Sequence, residues 1–321
     1  MPRIGFHASH EQFPPSELLD LVRAAEQAGF DAASCSDHFH PWTDAQGQSG
    51  FAFAWLGAAM QATALPFGVV NAPGDRYHPA LVAQAAATLG EMFPGRFTLV
   101  AGSGEALNEH ITGAPWPPKS ERNERLRECA DVMRALWAGE TVTHRGRVRV
   151  EGAKLYTRPR RPVTLFLAAV TPATAEWGAA WADGLLTVSQ PMETLREVVD
   201  GFRRGGGDGK PIWLQAKVSY ARDEGEALRG AHEQWRANVL DSDTLAGLST
   251  PAQFEAAGRR VTPEQVAKSV RVSSDLGRHA AWLADYASLG FEAIYLHNVN
   301  RWQQEFVDAF GARVLPELRR R

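Results

Sequence analysis

Cysteine is nearly absent: Cys35 and Cys129 are the only two in 321 residues. Two thiols exclude a disulfide scaffold and a zinc site built from cysteine alone. No excess of one charge sign is present. Lys and Arg total 34 against 37 Asp and Glu, for a net charge of −3. That balance removes the broad electrostatic footprint of a nucleic-acid or anionic-membrane binder. No uninterrupted apolar run reaches the roughly 20 residues of a membrane-spanning helix. The opening Met1-Pro2-Arg3-Ile4-Gly5-Phe6 runs straight into a strand-like segment, without signal-peptide charge and apolar core. A soluble cytoplasmic protein is the expectation. Internal repeats and linkers are also lacking, so one domain over residues 1–321 is expected.

What is there is a core former. Hydrophobic residues make up 44% and charged residues 22%, enough apolar content to exclude disorder. Eight short apolar runs read as buried parallel strands: Ile4–Ala8, Ala32–Ser36, Phe67–Val70, Phe97–Ala101, Leu165–Val170, Gly184–Val188, Ile212–Val218 and Ala293–Leu296. Helical patterns lie between them: Pro15–Ala28, Phe53–Ala64, Pro79–Met92, Ser120–Trp137, Pro172–Trp181, Met192–Arg203 and Arg278–Leu289, with Trp302–Arg319 closing the chain. The alternation predicts an α/β fold, a (β/α)8 TIM barrel; an open doubly wound sheet would look similar locally. Two stretches exceed the basic unit. Residues 141–157 alternate as a hairpin insertion would. Residues 238–262, rich in Ser, Thr, Ala and Gly, read as a mobile insertion near the mouth or as helical decoration. Gly205-Gly206-Gly207-Asp208-Gly209 is a surface loop, because no Lys-Ser/Thr opens a helix after it.

In such a barrel chemistry gathers at the C-terminal ends of the strands. The first strand ends in His7-Ala8-Ser9-His10-Glu11, the second in Ser36-Asp37-His38-Phe39-His40-Pro41-Trp42, and the third in Val70-Asn71-Ala72-Pro73. The fourth ends in Gly102-Ser103-Gly104-Glu105-Ala106-Leu107-Asn108-Glu109 and the eighth in His297-Asn298. The opposite ends carry little beyond turn residues. A histidine beside a carboxylate, as in Asp37-His38, suits a general base near neutral pH. The plainer reading is a surface histidine beside a capping aspartate. His38 and His40 also form an H-x-H pair, but the fifth and sixth strands end in Ala169-Val170 and Val188-Ser189 without further ligands, so no metal is expected. Gly102 and Gly104 let something flat approach the backbone; the plain alternative is a tight turn with solvated Glu105 and Glu109. Trp42 is a lid over a ring or a core residue. His7, His10 and His297 read as structural.

These same motifs, together with Ser9-His10-Glu11-Gln12-Phe13, Leu126-Arg127-Glu128 and Leu136-Trp137-Ala138-Gly139, resemble the luciferase-like oxidoreductases. Within them the match is to the coenzyme F-420-dependent glucose-6-phosphate dehydrogenase group, over Ile4 to Arg319. The resemblance implies a barrel with insertions, a homodimer, and hydride transfer between a small organic substrate and a deazaflavin. It implies His38 as the base for the substrate hydroxyl, Glu105 managing a proton near the ring, Trp42 stabilising developing charge, and Glu11 holding substrate or histidine. It implies cofactor contacts from Asp37, Val70, Asn71, Ser103, Gly104, Asn108, Ala169, Val170, Thr171 and Ser189, with a non-prolyl cis peptide near Val70-Asn71. A deazaflavin carries the electron pair, and the protein supplies orientation and proton handling.

Two departures stand out. The three cations that hold the sugar phosphate in that group fall here near Pro191, in the stretch 248–254, and at Ser269, none an evident Lys or Arg. A phosphate dianion needs charge-assisted partners, so a sugar phosphate is not the expected substrate. The group's Ala-Ala-Gly-Gly-Pro phosphate loop reads Ala168-Ala169-Val170-Thr171-Pro172. Thr171 can cap a helix at Pro172 whose N-terminus still suits a phosphate. Coenzyme F-420 is favoured slightly, with FMN as the alternative in an oxidoreductase or monooxygenase. A flavin-binding protein without turnover is the non-enzymatic reading.

Overall fold

The computed structural model describes residues 1–320, the side chains of 242 and 243 aside. Eleven strands are present among them: β1 Arg3–Ala8, β2 Ala32–Ser36, β3 Phe67–Asn71, β4 Phe97–Ala101, β5 Val142–Arg145, β6 Arg149–Ala153, β7 Thr164–Ala168, β8 Gly184–Val188, β9 Ile212–Ser219, β10 Arg271–Val272 and β11 Ala293–Asn298. Eight close into a parallel barrel in the order β1-β2-β3-β4-β7-β8-β9-β11, with β11 pairing back onto β1 and β10 extending from β9. This is the (β/α)8 barrel read from the alternation, and it excludes the open sheet. β5 and β6 form the expected antiparallel hairpin, with an irregularity between Val142 and His144. No described helix is long and apolar enough to cross a membrane.

Closure works because large and small residues alternate across the barrel floor. Phe166, Trp213 and Tyr295 pack there as tilted rings, with centroids 4.4 Å (Phe166–Trp213) and 5.2 Å (Trp213–Tyr295) apart. Glycines make room for them. A Cβ at Gly5 would lie 2.4 Å from Tyr295, and one at Gly184 would lie 2.4 Å from Phe166. The filled floor is a packed core, so only the C-terminal mouth stays open.

Several boundaries differ from the sequence reading. β7 stops at Ala168, two residues early, because Val170 turns out to solvent ahead of the helix Pro172–Ala179. β11 runs on to Asn298, so His297 lies within the strand. The closing helix is interrupted by a π-type turn at Phe310–Val314. A helix at Glu224–Trp235 was not read at all, although Asp223 caps it and acidic Glu224 and Glu226 open it. Residues 238–262 are largely helical, as Ser242–Gly247 and Pro251–Gly258, with Pro263–Ser269 following. Two capping boxes, Thr250 with Gln253 and Thr262 with Gln265, start the last two helices.

Candidate active site

Glu11 is the hub of the mouth. After β1 the chain turns sharply, with Gln12 and Phe13 both donating backbone N–H to the Ser9 carbonyl. Ser9 Oγ donates to Glu11 Oε2 at 2.9 Å, and Ser36 Oγ, at the end of β2, donates to Oε1. Nδ1 of His38 lies 3.2 Å from Oε1, within ion-pair range though not aligned as a hydrogen bond. Burial pushes the Glu11 carboxyl up, but the charge of His38, the Ser36 hydroxyl and the charge of His7 outweigh it and hold the group at about 2. Glu11 is therefore an anion at neutral pH, facing one ring nitrogen of His38. Ser49 Oγ fixes the His38 carbonyl at 2.7 Å.

Trp42 meets His38 edge to face, ring centroids 4.9 Å apart, and rests on Phe254 at 5.3 Å. Phe254 is fully buried and belongs to the helix Pro251–Gly258. The insertion thus backs the aromatic wall of the site.

Glu105 stands at the end of β4. It is the N-cap of the short helix Ala106–Glu109 and keeps accessible surface. Burial pushes its carboxyl up; His38 draws it back, Glu11 pushes it further, and Lys217 and Arg122 draw it back. Gly104, at φ +80°, needs its conformation: a Cβ there would lie 3.0 Å from Glu109 Cγ. Ser103 Oγ accepts from Lys119 Nζ at 2.6 Å, and the Gly104 carbonyl accepts from Arg122 at 3.0 Å.

Three expected cofactor contacts are placed otherwise. Asp37 does not orient His38: its side chain is completely buried, taking hydrogen bonds from Asn71 Nδ2 at 2.8 Å and Tyr77 Oη at 3.2 Å, with Arg76 at 3.4 Å. It has no surface left for a ligand. Asn108 uses Oδ1 to hold the backbone N–H groups of Phe39 and His40 at 2.8 and 3.1 Å, clamping the loop after β2. Ser189 Oγ accepts the Lys217 backbone N–H at 3.0 Å and so ties β8 to β9. The peptide bonds at Val70 and Asn71 are trans, like all others described; the Val70 carbonyl accepts from Asp37 N, and Asn71 Oδ1 is buried without a partner.

In the loop 168–172 the side chains split between core and solvent. Ala169 is buried, while Val170 is 42% exposed and turned outward. Thr171 caps Pro172–Ala179, its Oγ1 taking the Thr174 N–H, and its carbonyl takes that of Ala175. Pro172 has no N–H, so Ala173 is left as the open donor of that turn.

His40 bonds the Leu107 carbonyl and stacks on His110, away from Glu11. No group of three or more metal-ligating side chains is gathered among the described residues. His7 and His297 touch, ring centroids 4.6 Å apart, bonded to Ser34 and Gln12. Burial pushes His7 down to about 4 and His297 well down, so both are neutral supports beneath the mouth.

One mouth residue escaped sequence reading. On β9, Trp213 points into the barrel, so Gln215 and Lys217 share that face. Lys217 lies over the Trp235 ring at 5.8 Å. Burial pushes its ammonium down to about 8, with Glu105 working the other way.

Comparison with known proteins agrees with this geometry. Residues 1–293 match the model of the luciferase-like monooxygenases. An F420-dependent glucose-6-phosphate dehydrogenase of Intrasporangium calvum is 39% identical over 99% of both chains, and one from Nakamurella multipartita is 37% identical over 99% of this chain and 96% of its own. An F420-dependent secondary alcohol dehydrogenase, solved with an F420-acetone adduct, superposes with a TM-score of 0.91 at 29% identity over 99% of both chains. The resemblance seen in the strand-end motifs is borne out over the whole chain, which belongs to the luciferase-like monooxygenase family.

Proposed function

We propose that the protein is a coenzyme F-420-dependent oxidoreductase that interconverts a small secondary alcohol and its carbonyl compound. The single observation that carries the reading is the ionised Glu11 facing His38 at 3.2 Å, with Glu105 across the same mouth. The relatives named for this coenzyme support it over FMN. The mouth fits a planar ring: Gly102-Ser103-Gly104 brings backbone to its edge, Gly104 having no room for a side chain, and the Glu105 carboxylate faces it without a protein hydrogen bond. When bound, the deazaflavin supplies a two-electron hydride acceptor.

His38 takes the hydroxyl proton as the carbinol carbon gives up hydride, and Glu11 stabilises the imidazolium that results. Trp42 walls the substrate on the His38 side. Burial raises the Glu105 carboxyl, which favours its protonated form. Ser103, Gly104 and Ala173 line the cofactor side.

The substrate is not a sugar phosphate. Pro191 and Ser269 offer no cation, and in the stretch 248–254 the mouth receives Phe254 against Trp42. Arg236 nearby is paired to Glu255. The test is loss of deazaflavin absorbance with purified protein. Robust reduction by 2-butanol and none by glucose 6-phosphate is expected; efficient turnover of sub-millimolar glucose 6-phosphate overturns the substrate assignment, and binding of FMN alone overturns the cofactor.

A further inference from the structure

Lys217 makes no ion pair with any described residue, although the charge of Glu105 reaches it from a longer distance. It ends β9 inside the barrel, beside His297 on β11 and above Trp235. No described carboxylate lies within ion-pair distance, and no described group accepts a hydrogen bond from its ammonium. Glu105 shares the mouth but stands apart from it. The three N–H donors of Lys217 therefore have no hydrogen-bond acceptor among the described residues. A partly buried ammonium without a partner is unfavourable, and a negative acceptor brought by a ligand would relieve it. In the proposed reaction the substrate sits in the mouth, and on the wall between Lys217 and Glu105 the strands β7 and β8 carry the apolar Ala168 and Leu186 on their inner face.

We propose that Lys217 anchors a carboxylate on the substrate, so that the physiological alcohol is a short hydroxy acid and its product the corresponding oxo acid. One ammonium matches one negative charge; a phosphate dianion takes several charge-assisted donors, and the other cations for it are missing here. The backbone N–H of Lys217 bonded to Ser189 Oγ fixes the strand end, and the Trp235 face holds the side chain over it. The apolar wall of β7 and β8 takes the short carbon chain.

The inference rests on the alcohol-oxidation reading above, and its test separates the two. In the holoenzyme, kcat/KM is measured for 3-hydroxybutyrate and for 2-butanol, in wild type, Lys217→Met and Lys217→Arg. The ratio of acid to neutral alcohol should fall about 10- to 100-fold in Lys217→Met, chiefly through KM, and be partly kept in Lys217→Arg. A ratio unchanged by Lys217→Met overturns the proposal. A second measurement needs no turnover: titration of cofactor-free protein with butyrate, read by calorimetry. Binding by wild type and its loss in Lys217→Met supports the anchor even where no alcohol is oxidised, which would sink only the reading beneath it. No butyrate binding by wild type, or equal binding by the folded Lys217→Met protein, overturns the anchor.

Discussion

Oε1 of Glu11 and Nδ1 of His38 lie 3.2 Å apart, each delivered by a different strand of the barrel and each almost enclosed. Two serine hydroxyls, from Ser9 and Ser36, hold the carboxylate in place, and that of Ser36 favours its charged form. The arrangement turns one imidazole nitrogen toward a fixed anion. In the proposed reaction that anion stabilises the ring once it has taken up a proton.

Removing either partner should separate base from orienter. His38→Ala should lower turnover roughly 10²- to 10⁴-fold with little loss of cofactor affinity. Glu11→Gln should cost less, about 10- to 100-fold, since the imidazole stays but its charged form loses its partner. Steady-state kinetics beside cofactor titration checks both; near-normal turnover in His38→Ala removes that residue from the mechanism.

Acid should weaken the fold in two steps. His7 and His279 are held at about 4 in the folded protein, chiefly by burial, against 6.5 when exposed. The unfolded chain binds protons there first, so stability is full above pH 6.5 and falls as pH drops toward 4. Glu11, at about 2 when folded and 4.5 when exposed, adds stability above pH 4.5 that is lost as pH falls toward 2. Urea midpoints should therefore fall between pH 7 and 5. His279→Gln, which removes a buried ring bonded to the Ser273 carbonyl, should reduce the slope in that window by about one proton. An unaltered slope would show that His279 titrates normally.

Phe254 links the insertion to the chemistry. It is fully buried between Trp42, Leu107 and Ala237. Phe254→Ala should destabilise by about 3 kcal/mol, through lost burial and a cavity, and should raise KM because Trp42 loses its backing. Thermal unfolding with kinetics tests the link. Lost stability with unchanged KM would make the insertion mere packing.

The strands were legible because buried parallel strands are short apolar runs, and the gathering of polar groups at their ends marked the mouth; Glu11 beside His38 was one of two roles that the family resemblance alone implied. Lys217 was not legible. It lies within the run Ile212–Val218, read as uniformly apolar, where the alternation Trp213, Gln215, Lys217 against Leu214, Ala216, Val218 was the available signal. For 238–262 the Ser, Thr and Gly content left a mobile insertion and helical decoration equally open; the helical reading holds, and Thr250-Pro251-Ala252-Gln253 and Thr262-Pro263-Glu264-Gln265 spell out helix starts. Asp37 was assigned to His38 because the two are adjacent. Adjacent residues at a strand end tend to point to opposite faces, and the carboxylate that meets His38 comes from a different strand.

That difference makes Asp37 and His38 a test pair. Asp37 is locked to Asn71, Tyr77 and Arg76, and Arg76 is itself buried and reaches Glu109 at 3.6 Å. Asp37→Ala removes an anion from beside a buried guanidinium and leaves Asn71 and Tyr77 without their acceptor. Breaking a buried pair in this way costs about 3 to 5 kcal/mol. The variant should fold poorly or melt far below wild type, whereas His38→Ala should melt near wild type and fail in turnover. Asp37→Asn, which keeps an acceptor oxygen for Asn71 and Tyr77, should recover part of the stability and most of the turnover per folded molecule. Circular-dichroism melts with activity normalised to folded protein separate the two roles. An Asp37→Asn protein that melts normally yet is inactive would return Asp37 to the catalytic machinery.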